Sequence, residues 1–267
     1  MDSIIYLHDG TFEGLLHAVA SAVKSPEDVQ GIYARQGFSP QIFDTLISLE
    51  TDRQQALRLF AYLKQLKGSA ARFAVHGFLS DDREVGMHLY QMVRECLVRG
   101  AMATQFYTHD SIRYLDKLSQ KVGSEAHRLI GLIRFRILED GLQYGPFEPD
   151  CNVMSHCALH FMQRLKNQRW ILHDIRRNHA LYWDRSSLQA IDIDDDFTNQ
   201  VRHSGEIPES RLSEPERHYQ ELWKTFHTAV ANTDRKNLDL QRQFMPRRYW
   251  KYLVEMQEFP LGTPRLP

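Results

Sequence analysis

The residues best suited to chemistry lie in the second half of the chain, where acids, histidines and arginines recur at regular spacings. The segment EAHRLIGLIRF (125–135) continues a helical apolar stripe, and Glu125 occupies a stripe position between Val122 and Leu129. A carboxylate directed at a core is costly unless donors meet it, and Arg128, one turn further along, is a nearby candidate. The sequence therefore predicts a buried Glu125 with an arginine partner.

A second set of residues lies on the predicted helix that follows EPDCNVM. His156, His160 and Arg164 recur at i, i+4 and i+8, so they share one face, and a face of this composition can hold an anion. Two histidines at this spacing, with Cys151 and Cys157 nearby, also allow a zinc site. Ordinary helix packing is the favoured alternative, because the chain has neither a CxxC pair nor HExxH.

The segment RWILHDIRR predicts a strand on which Asp174 shares a side with Trp170 and Leu172. Taken alone, such an aspartate favours a structural ion pair. Several inward charges on adjacent elements instead favour a functional site. The candidates for proton transfer are Glu125, His160 and Asp174. The candidates for binding are Arg128, Arg134, Arg164, Arg176 and Arg177.

Basic residues alternate with aromatic residues in two places, which is the composition that phosphates and unstacked bases require. The alternative is a solvated charged surface over core aromatics. The first cluster contains Arg164, Lys166, Arg169, Arg176, Arg177 and Arg185, with Trp170, Tyr182 and Trp183 between them. The second contains Arg235, Lys236, Arg242, Arg247, Arg248 and Lys251, beside Tyr249 and Trp250.

The elements that must position these residues predict an α+β, helix-rich fold. After the helix that contains Glu125, the pattern reads hairpin, helix, hairpin, which predicts a small antiparallel sheet with flanking helices. A polar stretch from Asp192 to Arg211 predicts a loop, and Ser213 with Glu216 predicts a capped helix. We expect a mostly helical lobe with a short strand over 1–100, an α+β lobe with the site over 101–255, and a tail over 256–267.

Composition limits the classes of function. The 267 residues have a formal net charge of −1, with 42% hydrophobic and 25% charged residues, so the chain can bury a core and any attraction to nucleic acid must be local. The three cysteines suit a reducing compartment, and no membrane span or basic leader is recognisable, so we expect a cytoplasmic protein. The phosphate-loop, GxGxxG, GxSxG and kinase motifs are absent.

Several segments resemble a bacterial family assigned to DNA metabolism, a domain of unknown function whose activity is not established. The resemblance runs from Asp9 to about Leu253 and is carried by DGTFEGLL, KVGSEAHRLIGLIRF, EPDCNVMSHCALHFMQRLKNQRWILHDIRR, LWKTFH and MPRRYWKYL. The family pattern also marks Asn152 and His227, which join the binding candidates. His156 and Cys157 depart from the pattern, which weakens the zinc interpretation.

The resemblance implies a pathway rather than a reaction. Members of the family are usually encoded beside a radical-SAM protein of DNA modification or repair, and related domains are fused to uracil-DNA glycosylase-like proteins. We therefore expect DNA, single-stranded or duplex, and a radical-SAM protein as partners. The iron–sulfur cluster and SAM would belong to that partner, and we expect no cofactor in this chain. Whether the chain is an enzyme, a DNA-binding or partner-binding adaptor, or a metal-dependent hydrolase stays open at this point.

Overall fold

The structure is a computed structural model that describes residues 3–42, 44–66, 68–231 and 237–257. The chain divides into two compact units, Met1–Ser124 (unit 1) and Glu125–Pro267 (unit 2). The division lies inside a helix, whereas the sequence pattern placed a boundary at residue 100. Each unit combines helices with one small sheet, so the α+β, helix-rich class is confirmed.

Unit 1 contains a parallel sheet of three strands, whereas we expected a mostly helical lobe with a short strand. The strands are β1 (Ser3–His8), β2 (Asp28–Ala34) and β3 (Thr45–Ser48), in the order β2-β1-β3. Strands β2 and β3 lie at the edges of the sheet and have exposed positions, and Gly31 interrupts the apolar pattern of β2. Parallel pairing needs a crossover, which α1 (Phe12–Lys24) supplies between β1 and β2.

The helices of unit 1 share one hydrophobic core with this sheet. After β3 come α2 (Arg53–Gln65), α3 (Ala70–Leu79) and α4 (Val85–Arg99), then a 3-10 helix (Gly100–Gln105) and α5 (Asp110–Leu132). Thr11 caps the start of α1, since its hydroxyl accepts the backbone N–H of Gly14 at 2.9 Å. Leu15, Phe73 and Leu89 are buried at the centre.

Unit 2 contains a five-stranded mixed sheet, not the predicted antiparallel one. Its strands are β4 (Arg136–Ile137), β5 (Gln143–Phe147), β6 (Trp170–Asp174), β7 (His179–Trp183) and β8 (Leu188–Ile191), hydrogen-bonded in that order. Strands β5 and β6 are parallel because α6 (Met154–Arg164) carries the chain back before β6 begins. The other neighbours are antiparallel.

The rest of unit 2 is helical, including a segment that the sequence pattern predicted as loop. Within 192–211, α7 (Asp195–Ser204) begins at Asp194, whose side chain accepts from the N–H of Phe197, and ends at the left-handed Gly205. Next come a 3-10 helix (Glu209–Arg211), α8 (Glu214–Val230) and α9 (Leu238–Phe244). Two 3-10 helices (Arg247–Tyr252 and Val254–Met256) follow.

Two further expectations concern the C-terminal tail and membrane-spanning helices. Most of the predicted tail, residues 258–267, lies outside the described part of the chain, as do Arg235 and Lys236. Among the described helices, none combines the length and apolar character needed to cross a bilayer.

Gly205 generates a stability prediction, because its backbone has φ +72° and an added Cβ would lie 2.1 Å from the carbonyl oxygen of Lys251. Gly141 is the matched control, since it has φ +77° with no atom within 4 Å of that Cβ position. Gly141→Ala should cost roughly 1 kcal/mol for the left-handed backbone alone. Gly205→Ala should cost about 2 kcal/mol more, because the backbone of Lys251 must move. Urea unfolding measures both, and equal losses would contradict the close approach.

Candidate functional site

Glu125 lies in the last turns of α5 and is buried, with 1% of its surface exposed. Oε1 accepts the backbone N–H of Asp150 at 3.0 Å, and Oε2 accepts that of Cys151 at 2.7 Å. The Tyr249 hydroxyl also donates to Oε1, and Nη2 of Arg248 lies 3.3 Å from the same oxygen. The predicted burial and arginine partner are both present, but the arginine is Arg248 and not Arg128.

The pKa of Glu125 follows from this set of donors. Burial pushes the pKa upward, but the Tyr249 hydroxyl and the two backbone N–H groups oppose it, and the net result is a pKa below the usual value. The ionised carboxylate is thus the stable form at neutral pH. With four donors around it, the carboxylate has about as many partners as it has lone-pair positions.

Asp174 ends β6 and is fully buried, on the side of the strand that the sequence pattern predicted. Oδ1 accepts the N–H groups of Arg176 and Arg177 at 3.0 and 3.2 Å, and Oδ2 pairs with Nη1 of Arg177 at 2.7 Å. Burial raises the pKa of Asp174, and the charge of Arg177 acts in the opposite direction. The contacts are those of a structural ion pair that fixes the turn after β6.

Arg177 connects this turn to the loop that Glu125 holds. Its Nη1 donates to the carbonyl oxygen of Pro149 at 3.3 Å, and its Nη2 donates to that of Asp150 at 2.8 Å. Glu125 therefore takes N–H groups of the 149–151 loop, and Arg177 takes its carbonyl groups. Two charged side chains, 52 positions apart by their numbers, fix one short loop ahead of α6.

A cavity of about 340 Å³ with charged lining residues opens beside the 149–151 loop. The Asp150 carboxylate lies between two arginines, with Arg176 Nη1 at 3.2 Å and Arg248 Nη2 at 2.9 Å. Lys251 pairs with Glu148 at 2.5 Å on the same wall. Arg176 and Arg248 are about half exposed. We call this cavity the arginine pocket; its lining residues are Glu148, Pro149, Asp150, Arg176, Arg248 and Lys251.

Arg134 has its contacts at another place in unit 2. Its guanidinium pairs with Glu255 at 2.7 Å and lies over the ring of Trp223. Arg134 and Trp223 both line a groove of about 820 Å³ beside α8. The exposed apolar residues of that helix form a continuous helical stripe, the α8 stripe: Tyr219, Leu222, Trp223, Phe226 and Val230.

The remaining candidates contribute no hydrogen bond or ion pair to the Glu125 and Asp174 contacts. His160 is half-buried with its ring against the edge of Phe161, and Arg164 is exposed at the end of α6. Arg128 is half-buried, and its Nε is enclosed without a hydrogen-bond partner among the described residues. Asn152 and His227 are half-buried.

The first basic cluster is divided by the sheet and does not form the single patch that its sequence suggests. Trp170 pairs with Trp183 across β6 and β7, so Arg169 and Arg185 lie at one end of these strands. Arg176 lies in the turn at the other end, roughly 17 Å away at about 3.3 Å per residue. Trp170 and Trp183 are buried and stack on each other, which excludes them as platforms for a base, while Tyr182 is half-buried.

The described residues give a metal ion no ligand set. They contain no group of three or more His, Cys, Asp or Glu side chains arranged to hold one. Cys96, Cys151 and Cys157 form no disulfide and are buried. Burial raises the pKa of Cys157 to about 12, which disfavours the thiolate that zinc requires.

Sequence reasoning missed the buried His173, although its place on the strand was visible. Its Nδ1 lies 2.7 Å from the Tyr144 hydroxyl, and its Nε2 lies 3.1 Å from Oδ1 of Asn178. Because an amide oxygen only accepts, Nε2 carries the proton and Tyr144 donates to Nδ1. Burial lowers the pKa of His173 to about 4, so the ring is neutral. Arg248 and Tyr249 were seen as members of a basic cluster, but not as partners of Glu125.

Glu125→Ala should lower the free energy of unfolding by on the order of 3 kcal/mol, because two loop N–H groups and Arg248 lose their acceptor. Glu125→Gln should cost less, since it keeps the shape and one acceptor oxygen. Glu139→Gln, at an exposed position, is the control and should be neutral. Thermal melts that leave both Glu125 variants unchanged would contradict the role assigned to this side chain.

The free energy of unfolding should fall as pH drops from 6.5 to 5, and His173 should account for about 2 kcal/mol of that loss. In the unfolded chain His173 has its ordinary pKa of about 6.5. In the folded protein burial lowers that pKa to about 4, so the ring stays neutral over this range. Glu125, whose pKa is depressed, loses its contribution only at lower pH. The free energy of unfolding of His173→Gln should fall less steeply with pH than that of the wild type. His127→Gln, a control at an exposed position, should have the same pH dependence as the wild type. Identical slopes for wild type and His173→Gln would refute the assignment.

Comparison with known proteins gives one match. No curated protein and no solved structure matches the chain. The family described as a domain of unknown function, DUF4130, matches residues 83–255. This range contains Glu125, Asp174 and the whole arginine pocket. Because the match covers more than half of the 267 residues, the chain belongs to the DUF4130 family.

Proposed function

We propose that this chain is a DNA-associated accessory protein that acts beside a radical-SAM partner and contacts the nucleic-acid backbone through the arginine pocket. The partner is inferred from the resemblance described above. The observation that supports a phosphate contact is the convergence of Arg176, Arg248 and Lys251 on one open cavity.

The two arginines keep donors that can bind a phosphate. Arg176 contributes only Nη1 to Asp150, and Arg248 makes its polar contacts through Nη2. The other nitrogens of both guanidinium groups have no hydrogen-bond partner within the described part of the chain. Planar guanidinium groups with such donors match phosphate oxygens, and a phosphate can bridge both arginines.

The frame under the pocket is fixed before any ligand arrives. Glu125 and Arg177 hold the backbone of the 149–151 loop, and Asp150 in turn orients both arginines. Side chains held in place lose less conformational entropy on binding than free ones do. This favours a phosphate contact that depends on the placement of the two guanidinium groups more than on the net charge of the surface.

The same contacts favour an accessory role over acid–base catalysis by this site. Glu125 already accepts from four donors, and Asp174 accepts from two N–H groups and Arg177. A general base needs a lone pair directed at its substrate. A metal-dependent hydrolase would need a group of side chains that can hold the ion, and the described residues contain no such group.

Binding should be weak. Arg176, Arg248 and Lys251 face Asp150 and Glu148 in the pocket, and the ionised Glu125 lies beneath, so positive and negative charges nearly balance. We expect a dissociation constant in the micromolar range or weaker at physiological salt. Buried Trp170 and Trp183 give no reason to expect a preference for single strands from the first basic cluster.

The test is fluorescence anisotropy with a labelled single strand and its duplex over a salt series. Combining Arg176→Ala with Arg248→Ala should weaken binding to all sequences and lower the slope of log affinity against log salt by about 1. Combining Arg169→Ala with Arg185→Ala, at the other end of β6, is the matched control with the same change in charge. Thermal melts must show that each double variant is folded.

Two outcomes would overturn the pocket as the contact. One is equal weakening by both double variants, and the other is no binding at millimolar protein in low salt. Either would leave the adaptor role, in which the radical-SAM protein would pack on the α8 stripe. That stripe exposes about half of Trp223, Phe226 and Tyr219, and exposed apolar surface of this kind is typical of protein interfaces.

A further inference from the structure

Unit 1 contains a cavity that the proposed function does not use. It has a volume of about 440 Å³, within the range of small-molecule sites. His8 ends β1 and Ala34 ends β2, and both line the cavity, so it lies outside the carboxyl ends of two parallel strands. Open sheets with parallel strands bind their ligands at this edge.

His8 supplies a hydrogen-bond donor at the base of the cavity. The residue is 6% exposed, and its Nδ1 accepts the backbone N–H of Gly10 at 3.1 Å. An imidazole nitrogen that accepts carries no proton, so Nε2 carries it and donates. Burial lowers the pKa of His8 more than nearby Asp9 raises it, which agrees with a neutral ring. The Nε2–H has no partner among the described residues.

One wall of the cavity is aromatic. The rings of Tyr33 and Phe38 are stacked, with centroids 5.2 Å apart and planes 21° apart. Both rings are half-buried, and Ile32, Phe78 and Val85 add apolar surface. A flat aromatic ligand can extend such a stack.

The rim of the cavity disfavours an anion. Among the described residues that line it, Asp81, Asp82 and Glu84 carry negative charge and Arg83 carries positive charge. The start of α1, which would otherwise attract a phosphate, is already occupied. The Asp9 carboxylate accepts the N–H of Thr11 at 2.9 Å, and the Thr11 hydroxyl accepts the N–H of Gly14. A phosphorylated ligand would meet repulsion with few donors to offset it.

We propose that this cavity binds a planar heteroaromatic molecule of nucleoside size without an anionic group, stacked on Phe38 and accepting a hydrogen bond from Nε2–H of His8. The site is independent of the arginine pocket. Most of its lining residues precede residue 83, where the family match begins.

The test uses saturation-transfer NMR and calorimetry on the full chain with adenosine, thymidine and inosine, and with AMP as the charged counterpart of adenosine. At least one uncharged compound should bind at or below millimolar concentration. If that compound is adenosine, AMP should bind at least about tenfold more weakly, because of the acidic rim. Phe38→Ala should weaken binding by roughly fivefold or more through lost stacking. Tyr107→Ala, an exposed aromatic away from the cavity lining, should leave it unchanged.

His8→Leu removes the donor and should weaken binding roughly 3- to 10-fold, provided that melts show a folded protein. If that variant does not fold, Phe38→Ala decides alone, since Phe38 is only partly buried and lies outside the strands of the sheet. The proposal is overturned if none of the three uncharged compounds binds at millimolar concentration. It is equally overturned if AMP binds as tightly as adenosine, or if Phe38→Ala has no effect.

Discussion

The ionised carboxylate of Glu125 is the group on which the architecture of unit 2 depends. A charge removed from water requires donors, and α5 provides none to its own side chain. The donors come from the 149–151 loop and from Arg248 and Tyr249 near the end of the described chain. Satisfying one buried charge therefore joins a helix, the loop before α6 and a C-terminal 3-10 helix.

The need of a buried charge for hydrogen-bond donors also determines which charged residues stabilise the fold and which face solvent. Glu125 and Asp174 use their lone pairs on backbone N–H groups and arginines, so they shape the loop and turn. The charges left facing solvent are those that Asp150 orients, Arg176 and Arg248. The pocket therefore presents guanidinium donors to a ligand, beside the partly exposed carboxylates of Asp150 and Glu148. Recognition of an anion follows from this more directly than proton transfer does.

Each unit carries its own candidate site, and the two differ in kind. The cavity of unit 1 combines a buried neutral donor, His8, with an aromatic wall and an acidic rim. The pocket of unit 2 is open and lined by arginines. The arginines of the second favour an anion, and the acidic rim of the first disfavours one.

The sequence by itself determined the local features: the helical stripe that buries Glu125, the β6 strand with Asp174 inward, and the caps at Thr11 and Ser213. These follow from periodicity and side-chain chemistry within a few residues. Asp194 and Gly205 also marked α7 in the sequence, but its high polarity concealed the helix. Only the tertiary structure decided partners, because the choice of Arg248 over Arg128 and the parallel pairing of β5 with β6 depend on chain closure over long separations, which no local pattern records.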